Sequence, residues 1–220
     1  MTLQSRLDAF KEDFETNQAP PAAVEAFHRS IQELIDQGYG ERALKAGQMA
    51  PEFTLTDSDG NKVSSRELLA KGPLVLTFYR GVWCPYCNLE LQALEEAVGD
   101  IKARGATLVA ISPQSAGSSR LSKRQNDLSF PILTDQGGDL AEQLGLRWEL
   151  QPYLIEVFKS FKVDLPAIHE DDKWTLPTPA RYVIAQDGSI AYAEVNPDYT
   201  RRPEPSDLFP VLDRLRSEAV

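Results

Sequence analysis

Residues 74–94 set the terms for the rest of the chain. Leu74-Val75-Leu76-Thr77-Phe78-Tyr79 is an unbroken run of aliphatic, β-branched and aromatic side chains. That is the composition of a strand covered on both faces, and hence of the middle of a largely parallel sheet. Shortly after it come Cys84-Pro85-Tyr86-Cys87, the only two cysteines in the chain. Pro85 suits a first helical position, where its missing N–H costs nothing. The leucines of Asn88-Leu89-Glu90-Leu91-Gln92-Ala93-Leu94 then recur with helical spacing. The cysteines therefore mark the corner at which a buried strand becomes a helix.

That position decides how the sulfurs are read. Unpaired N–H groups and the positive end of the helix dipole favour an anion, so Cys84, exposed at the helix end, is the expected nucleophile with a lowered pKa. Cys87 lies one turn deeper on nearly the same face, where a disulfide to Cys84 is within reach and the dipole helps less; it is the expected resolving thiol. Zinc needs four ligands, and only His28 and His169 exist besides, in no paired spacing. Neither a metal nor a bound cofactor is called for. Two unreactive core cysteines would be small hydrophobes, and the strand-to-helix corner favours redox use over that.

Composition narrows the setting. The 220 residues carry a formal net charge of −10, a field that repels phosphate backbones and anionic lipid surfaces, so neither nucleic acid nor a membrane is an expected partner. The opening MTLQSRLDAFKEDFE has no apolar core of the kind a secretory signal needs, and no apolar run approaches bilayer length. These features read as a cytoplasmic protein, and in that compartment a structural disulfide is disfavoured.

Taken in order, residues 1–45 predict a helical extension. Leu3, Leu7, Phe10 and Phe14, then Val24, Phe27, Ile31 and Leu34, follow helical spacing on either side of Pro20-Pro21. The extension is expected to pack on the main domain or on a partner subunit, and His28 to be a packed or surface residue. Residues 46–220 read as one α/β domain. A short hairpin leads to an Asp-Gly turn at Asp59-Gly60, a capped helix covers Ser64–Leu69, and the 74–79 strand, the cysteine helix and a strand at Thr107–Ile111 form a βαβ unit. Its right-handed crossover makes the two strands parallel and puts the cysteines at a carboxyl end of the sheet. A polar helix to about Asp127, a strand near 131–135 and a helix ending at Gly145 follow. Residues 147–177 read as a helical insertion, with His169 in a solvated acidic loop. A hairpin around Gln186-Asp187-Gly188-Ser189 and a helix over 206–217 close the chain.

With these residues in place the sequence resembles the alkyl hydroperoxide reductase and thiol-specific antioxidant (AhpC/TSA) group, the peroxiredoxin-like branch of the thioredoxin fold. The resemblance spans about 46–217 and rests on AGQMAPEFTLTDSDG, FYRGVWCPYC, the segment from ISPQS to FPILTDQGGDLAEQLGL, and YVIAQDGSI. It implies a central mixed sheet with flanking helices. It also implies a thiolate that attacks a peroxide, passes through sulfenic acid and is recovered by a second thiol, roles that fall on Cys84 and Cys87.

The sequence departs from that group near the nucleophile. Members of the group place proline seven residues and threonine three residues before the reactive cysteine, whereas here those positions hold Thr77 and Gly81. The strand arginine of the group aligns with Pro179, and Arg181 follows two residues later on the same face. A proline there is what thioredoxin-like disulfide reductases carry, in cis, opposite their cysteines; Pro179, or else Pro177, matches it. Arg80, four residues before Cys84, is the expected cation for the thiolate and the departing oxygen, against the alternative of a surface ion pair. Trp83 is expected to shield the sulfur, and Thr77, Trp83, Pro179 and Arg181 to line the substrate. Glu90 is either a proton relay or a surface acid.

The leading expectation is a thiol peroxidase acting on hydrogen peroxide or organic hydroperoxides, recycled by an external dithiol such as thioredoxin or glutaredoxin/glutathione, with a homodimer as the family habit. The alternatives are a thiol-disulfide oxidoreductase acting on protein disulfides and a non-enzymatic redox sensor.

Overall fold

The run from Leu74 to Phe78 is buried at every position, and the other elements are arranged around it. Residues 1–218 are described by the structure, a computed structural model. The N-terminal segment forms α1 (Leu3–Asp13), α2 (Pro21–Asp36) and the one-turn α3 (Tyr39–Arg42). Next come β1 (Thr54–Asp57), β2 (Lys62–Ser64), α4 (Ser65–Leu69), β3 (Leu74–Phe78), α5 (Pro85–Ala103), β4 (Thr107–Ser112), α6 (Ala116–Gln125), β5 (Ile132–Thr134) and α7 (Asp139–Gln143). The chain then leaves the sheet for β6 (Arg147–Glu149), α8 (Pro152–Ser160), α9 (Leu165–His169) and β7 (Thr175–Pro177). It returns as β8 (Ala180–Ile184) and β9 (Ile190–Val195) and ends in α10 (Phe209–Glu218).

The seven-stranded sheet has the order β2-β1-β5-β4-β3-β8-β9. β3 pairs in parallel with β4 and antiparallel with β8, so both of its edges are satisfied and its side chains meet helices or loops on both faces. Alternation along the strand sorts them. Val75 and Tyr79 join Leu91, Leu94 and Ile101 of α5 and Leu3 and Leu7 of α1 in one core layer. Leu74, Leu76 and Phe78 join Val109, Ile111, Leu140 and Tyr182 in the other. Each such residue stabilises the fold by about 1.5–3 kcal/mol relative to exposure.

Two features outside the sheet position the site. Pro20 and Pro21 separate α1 from α2, and Pro21 supplies the N1 position of α2; α1 lies against α5. The segment from β6 to β7 carries its own two-stranded ladder and buries Trp148, Leu154, Phe158 and Leu165 against Leu34 of α2. The expected serine cap of α4 is not formed by Ser64. Instead Ser65 Oγ accepts the Phe53 N–H at 3.0 Å, tying α4 to the hairpin. Among the described residues no helix is long and apolar enough to cross a membrane.

Candidate active site

Cys84 is the N-cap of α5, its backbone extended and its sulfur accepting the Cys87 N–H at 3.3 Å. The residue therefore uses its sulfur where serine or aspartate would use oxygen, facing the unpaired N–H groups of a 19-residue helix. The approach to it is fixed. Val82 donates its N–H to Gln114 Oε1 (2.8 Å), Asn88 Nδ2 donates to Val82 O (2.9 Å), and Cys84 N–H returns to Gly81 O (3.1 Å). Gly81 has φ +150°, and a Cβ there would stand 2.6 Å from Trp83 Nε1. The indole thus fills the space a threonine at that position would need.

Two guanidinium groups face the pair and a third joins them through Glu90. Arg80 Nη2 donates to Cys84 Sγ at 3.2 Å, and Arg202 Nη2 lies 3.8 Å from Cys87 Sγ. Arg202 Nε also donates to Glu90 Oε2 at 2.6 Å, while Arg181 Nη2 donates to Glu90 Oε1 at 2.7 Å. All four of these ionic side chains are buried. Two of the three buried cations, Arg181 and Arg202, thus share one buried carboxylate, and Arg80, which does not reach it, has the sulfur as its partner. A buried charge without a counter-ion is costly, so Arg80 favours the thiolate form of Cys84. Burial works to raise the Cys84 pKa, but the hydrogen bond from Cys87, the Arg80 and Arg202 charges and the Cys87 backbone N–H outweigh it and hold the thiol well below its ordinary range. Burial, together with the hydrogen bond and charge of Cys84, pushes Cys87 the opposite way. The two neighbouring thiols therefore differ in their affinity for a proton, Cys84 favouring the thiolate and Cys87 the thiol.

The structure corrects several expectations. Cys84 is not exposed: both cysteines have 0% accessible surface, and the Arg80 guanidinium on its sulfur is itself packed against the rings of Tyr199 (3.7 Å from Cζ to the centroid) and Trp83 (5.1 Å). Glu90 is no surface acid but the anion that binds Arg181 and Arg202. Arg181 points at Glu90 and at Pro203 O, and it touches neither sulfur. Thr77 is buried opposite it in the ladder, its hydroxyl 3.5 Å from Glu90 Oε1. Neither residue lines a space a substrate could enter. Pro179 is buried beside the end of β3, but no peptide bond among the described residues is cis. The chain enters β8 directly from the β6–β7 ladder, held extended by the Thr178 N–H bond to Leu146 O (2.8 Å). His169 lies not in a solvated loop but 1% exposed at the end of α9, and burial lowers its pKa; Glu170 and Asp172 turn outward. His28 is on the surface, 2.7 Å from Glu15.

Tyr199 and Arg202 escaped the sequence reading. They sit in the loop between β9 and α10, which is fastened to α1: Glu204 accepts the Leu3 and Gln4 N–H groups, and Gln4 Oε1 accepts the Arg202 N–H. The one signal was the Arg201-Arg202 pair in a Pro-rich loop. Among the described residues no three His, Cys, Asp or Glu side chains are grouped to hold a metal ion.

The sequence pattern of the AhpC/TSA family matches residues 46–193. Over 113 residues the chain is 30% identical to the thiol-disulfide oxidoreductase ResA of Bacillus thuringiensis subsp. konkukian, covering 50% of this chain and 64% of that protein. Over 107 residues it is 32% identical to chloroplastic peroxiredoxin Q of Oryza sativa subsp. japonica, covering 49% of each. The chain thus spans less than two thirds of the length of these relatives. Among solved structures it is similar to peroxidoxin BcpB from Mycobacterium tuberculosis (TM-score 0.61, 20% identity, 79% of this chain and 97% of that one). It is also similar to peroxiredoxin 6 of Arenicola marina (TM-score 0.62, 21% identity, 80% and 75%). At these identities the likeness is one of fold, a thioredoxin-like mixed sheet with flanking helices.

Proposed function

The chain belongs to the AhpC/TSA family, and from that premise we propose that it is a thiol peroxidase with Cys84 as nucleophile and Cys87 as resolving thiol. The observation that carries this is the charge arrangement at Cys84: a fully buried sulfur at a helix N-terminus with Arg80 Nη2 3.2 Å away as its counter-ion.

The Cys84 thiolate attacks the terminal oxygen of the peroxide. The S–O bond forms as the O–O bond breaks, the electron pair leaves on the second oxygen, and that oxygen takes up a proton as water or alcohol. Arg80, with N–H groups beyond the one on sulfur, holds the oxygen on which charge develops. The sulfenic acid on Cys84 then condenses with the Cys87 thiol, releasing water and forming the disulfide. Arg202, kept near Cys87 by Glu90, stabilises the sulfur anion that the second step requires. An external dithiol returns the pair to the reduced state. The same proposal places the protein in the cytoplasm, with thioredoxin or glutaredoxin/glutathione as reductant and a homodimer as the assembly.

A second reading, a thiol-disulfide oxidoreductase, draws on the Cys-x-x-Cys spacing and the likeness to ResA. The burial of both sulfurs favours a small substrate over a protein disulfide. Stopped-flow mixing with hydrogen peroxide, followed through the fluorescence of Trp83 beside the sulfur, decides between them. Oxidation many times faster than that of free cysteine, lost in Cys84→Ser, is the expected result; a rate equal to that of free cysteine would remove the peroxidase reading.

A further inference from the structure

An aromatic-walled pocket lies next to the cysteines, and the elements that wall it are not the ones that make the sheet. Its floor includes Arg80, Trp83 and Tyr86, the residues around Cys84. Its walls are Phe10 and Phe14 from α1 and the turn after it, Phe27 from α2, and Phe158 and Phe161 from the segment between β6 and β7. The rings interlock: Phe14 and Phe27 each lie within 5.9 Å of the Phe161 centroid, and Trp83 meets Phe158 edge-on at 5.1 Å. The family pattern begins at residue 46, so three of these phenylalanines lie outside it.

Resting on the peroxidase reading, we propose that this pocket binds the apolar body of a compact organic hydroperoxide, about one aromatic ring in size, with its hydroperoxyl end at Arg80.

Three observations select that occupant. Hydrogen peroxide has no apolar surface, so phenylalanine walls give it no binding energy, whereas a ring buried there gains what any buried aromatic gains. The space is about 190 Å³. A cavity of about 150 Å³ lined by apolar side chains takes up benzene, so one ring with a small branch fits and a folded acyl chain does not. Arg80 supplies the polar end: it is 5% exposed, its Nη2 is on Cys84 Sγ, and its Nε has no partner. A hydroperoxide oxygen held by this guanidinium, which both lines the pocket and touches the sulfur, sits beside the thiolate that attacks it. The chemistry balances as a two-electron transfer: the sulfur gains an oxygen as sulfenic acid, and the O–O bond breaks to release the corresponding alcohol.

The test compares single-turnover oxidation of the reduced full chain by cumene hydroperoxide and by hydrogen peroxide. The second-order rate constant for cumene hydroperoxide is expected to exceed that for hydrogen peroxide about tenfold or more, the worth of burying one ring. Phe161→Trp, which fills the pocket, is expected to bring that ratio down about tenfold. The product alcohol, 2-phenyl-2-propanol, is expected to compete with cumene hydroperoxide in the wild-type protein, a readout that stands even if Phe161→Trp does not fold. A ratio near one together with no inhibition by the alcohol would overturn the pocket assignment while leaving the peroxidase reading in place. If neither peroxide oxidises Cys84 faster than free cysteine, the peroxidase reading itself fails. If Phe161→Trp leaves the peroxide ratio unchanged and slows reduction of a protein disulfide, the pocket takes a partner's side chain and the proposal is wrong.

Discussion

Replacing Arg80 by methionine removes the cation from Cys84 while keeping an unbranched side chain between Tyr199 and Trp83. Two unit charges 4 Å apart interact by about 4 kcal/mol at an effective dielectric constant near 20. The Arg80–sulfur contact is shorter, 3.2 Å, but Arg202 and the helix terminus remain. At about 1.4 kcal/mol per unit, the loss corresponds to a rise of about 2–3 units in the Cys84 pKa. The starting value is about 5, against 9.0 for an ordinary thiol, so the variant goes from almost wholly thiolate to about half or more thiol at neutral pH. Thiolate ultraviolet absorbance, followed against pH in a Cys87→Ser background so that one sulfur titrates, measures the midpoint directly. Stability follows the same shift. A depressed acid pKa stabilises the fold fully above the unfolded value and loses that stabilisation as pH falls through the folded one. Wild-type stability is therefore expected to rise between about pH 5 and 9 by up to about 1.4 kcal/mol per unit. It then falls above that range, where the unfolded chain's thiol ionises while the raised Cys87 of the fold keeps its proton. In Arg80→Met the rise begins at correspondingly higher pH. A midpoint that moves by less than about half a unit would mean that the helix terminus and Arg202 hold the thiolate, and the role given to Arg80 would be refuted.

Three further outcomes follow from the same contacts. Cys87→Ser is expected to keep its first turnover with peroxide and lose recycling by dithiol, with excess peroxide adding two or three oxygens to Cys84 in intact-mass spectra. Internal disulfide formation that never appears in the wild type would exclude Cys87 as the resolving thiol. Glu90→Gln leaves Arg181 and Arg202 buried without their anion and is expected to cost about 3–5 kcal/mol in urea unfolding; a loss below 1 kcal/mol would show that the carboxylate is dispensable. Gly81→Thr is expected to destabilise the fold and displace Trp83, because the added Cβ meets the indole at 2.6 Å. A wild-type melting temperature and tryptophan spectrum would contradict that.

The strand at 74–78, the helix that starts at Cys84, the βαβ crossover and the closing hairpin were legible in the sequence because the signals behind them are local. Apolar runs, a proline at N1 and an Asp-Gly turn act over a few residues, and their spacing survives any arrangement of the rest of the chain. The pairing of Cys84 with Arg80 was legible for the same reason, since only four residues separate them. What tertiary structure alone decided is which charges reach one another. Glu90 is bound by Arg202 from 112 positions away and by Arg181 from 91, and Tyr199 closes over Arg80 only because the loop that carries it is tied to α1. A side chain such as Glu90 or His169 is an exposed acid or a buried ion, a loop residue or a core residue, according to what surrounds it. Desolvation and long-range Coulomb pairing depend on positions in space, and residue spacing along the chain does not encode them.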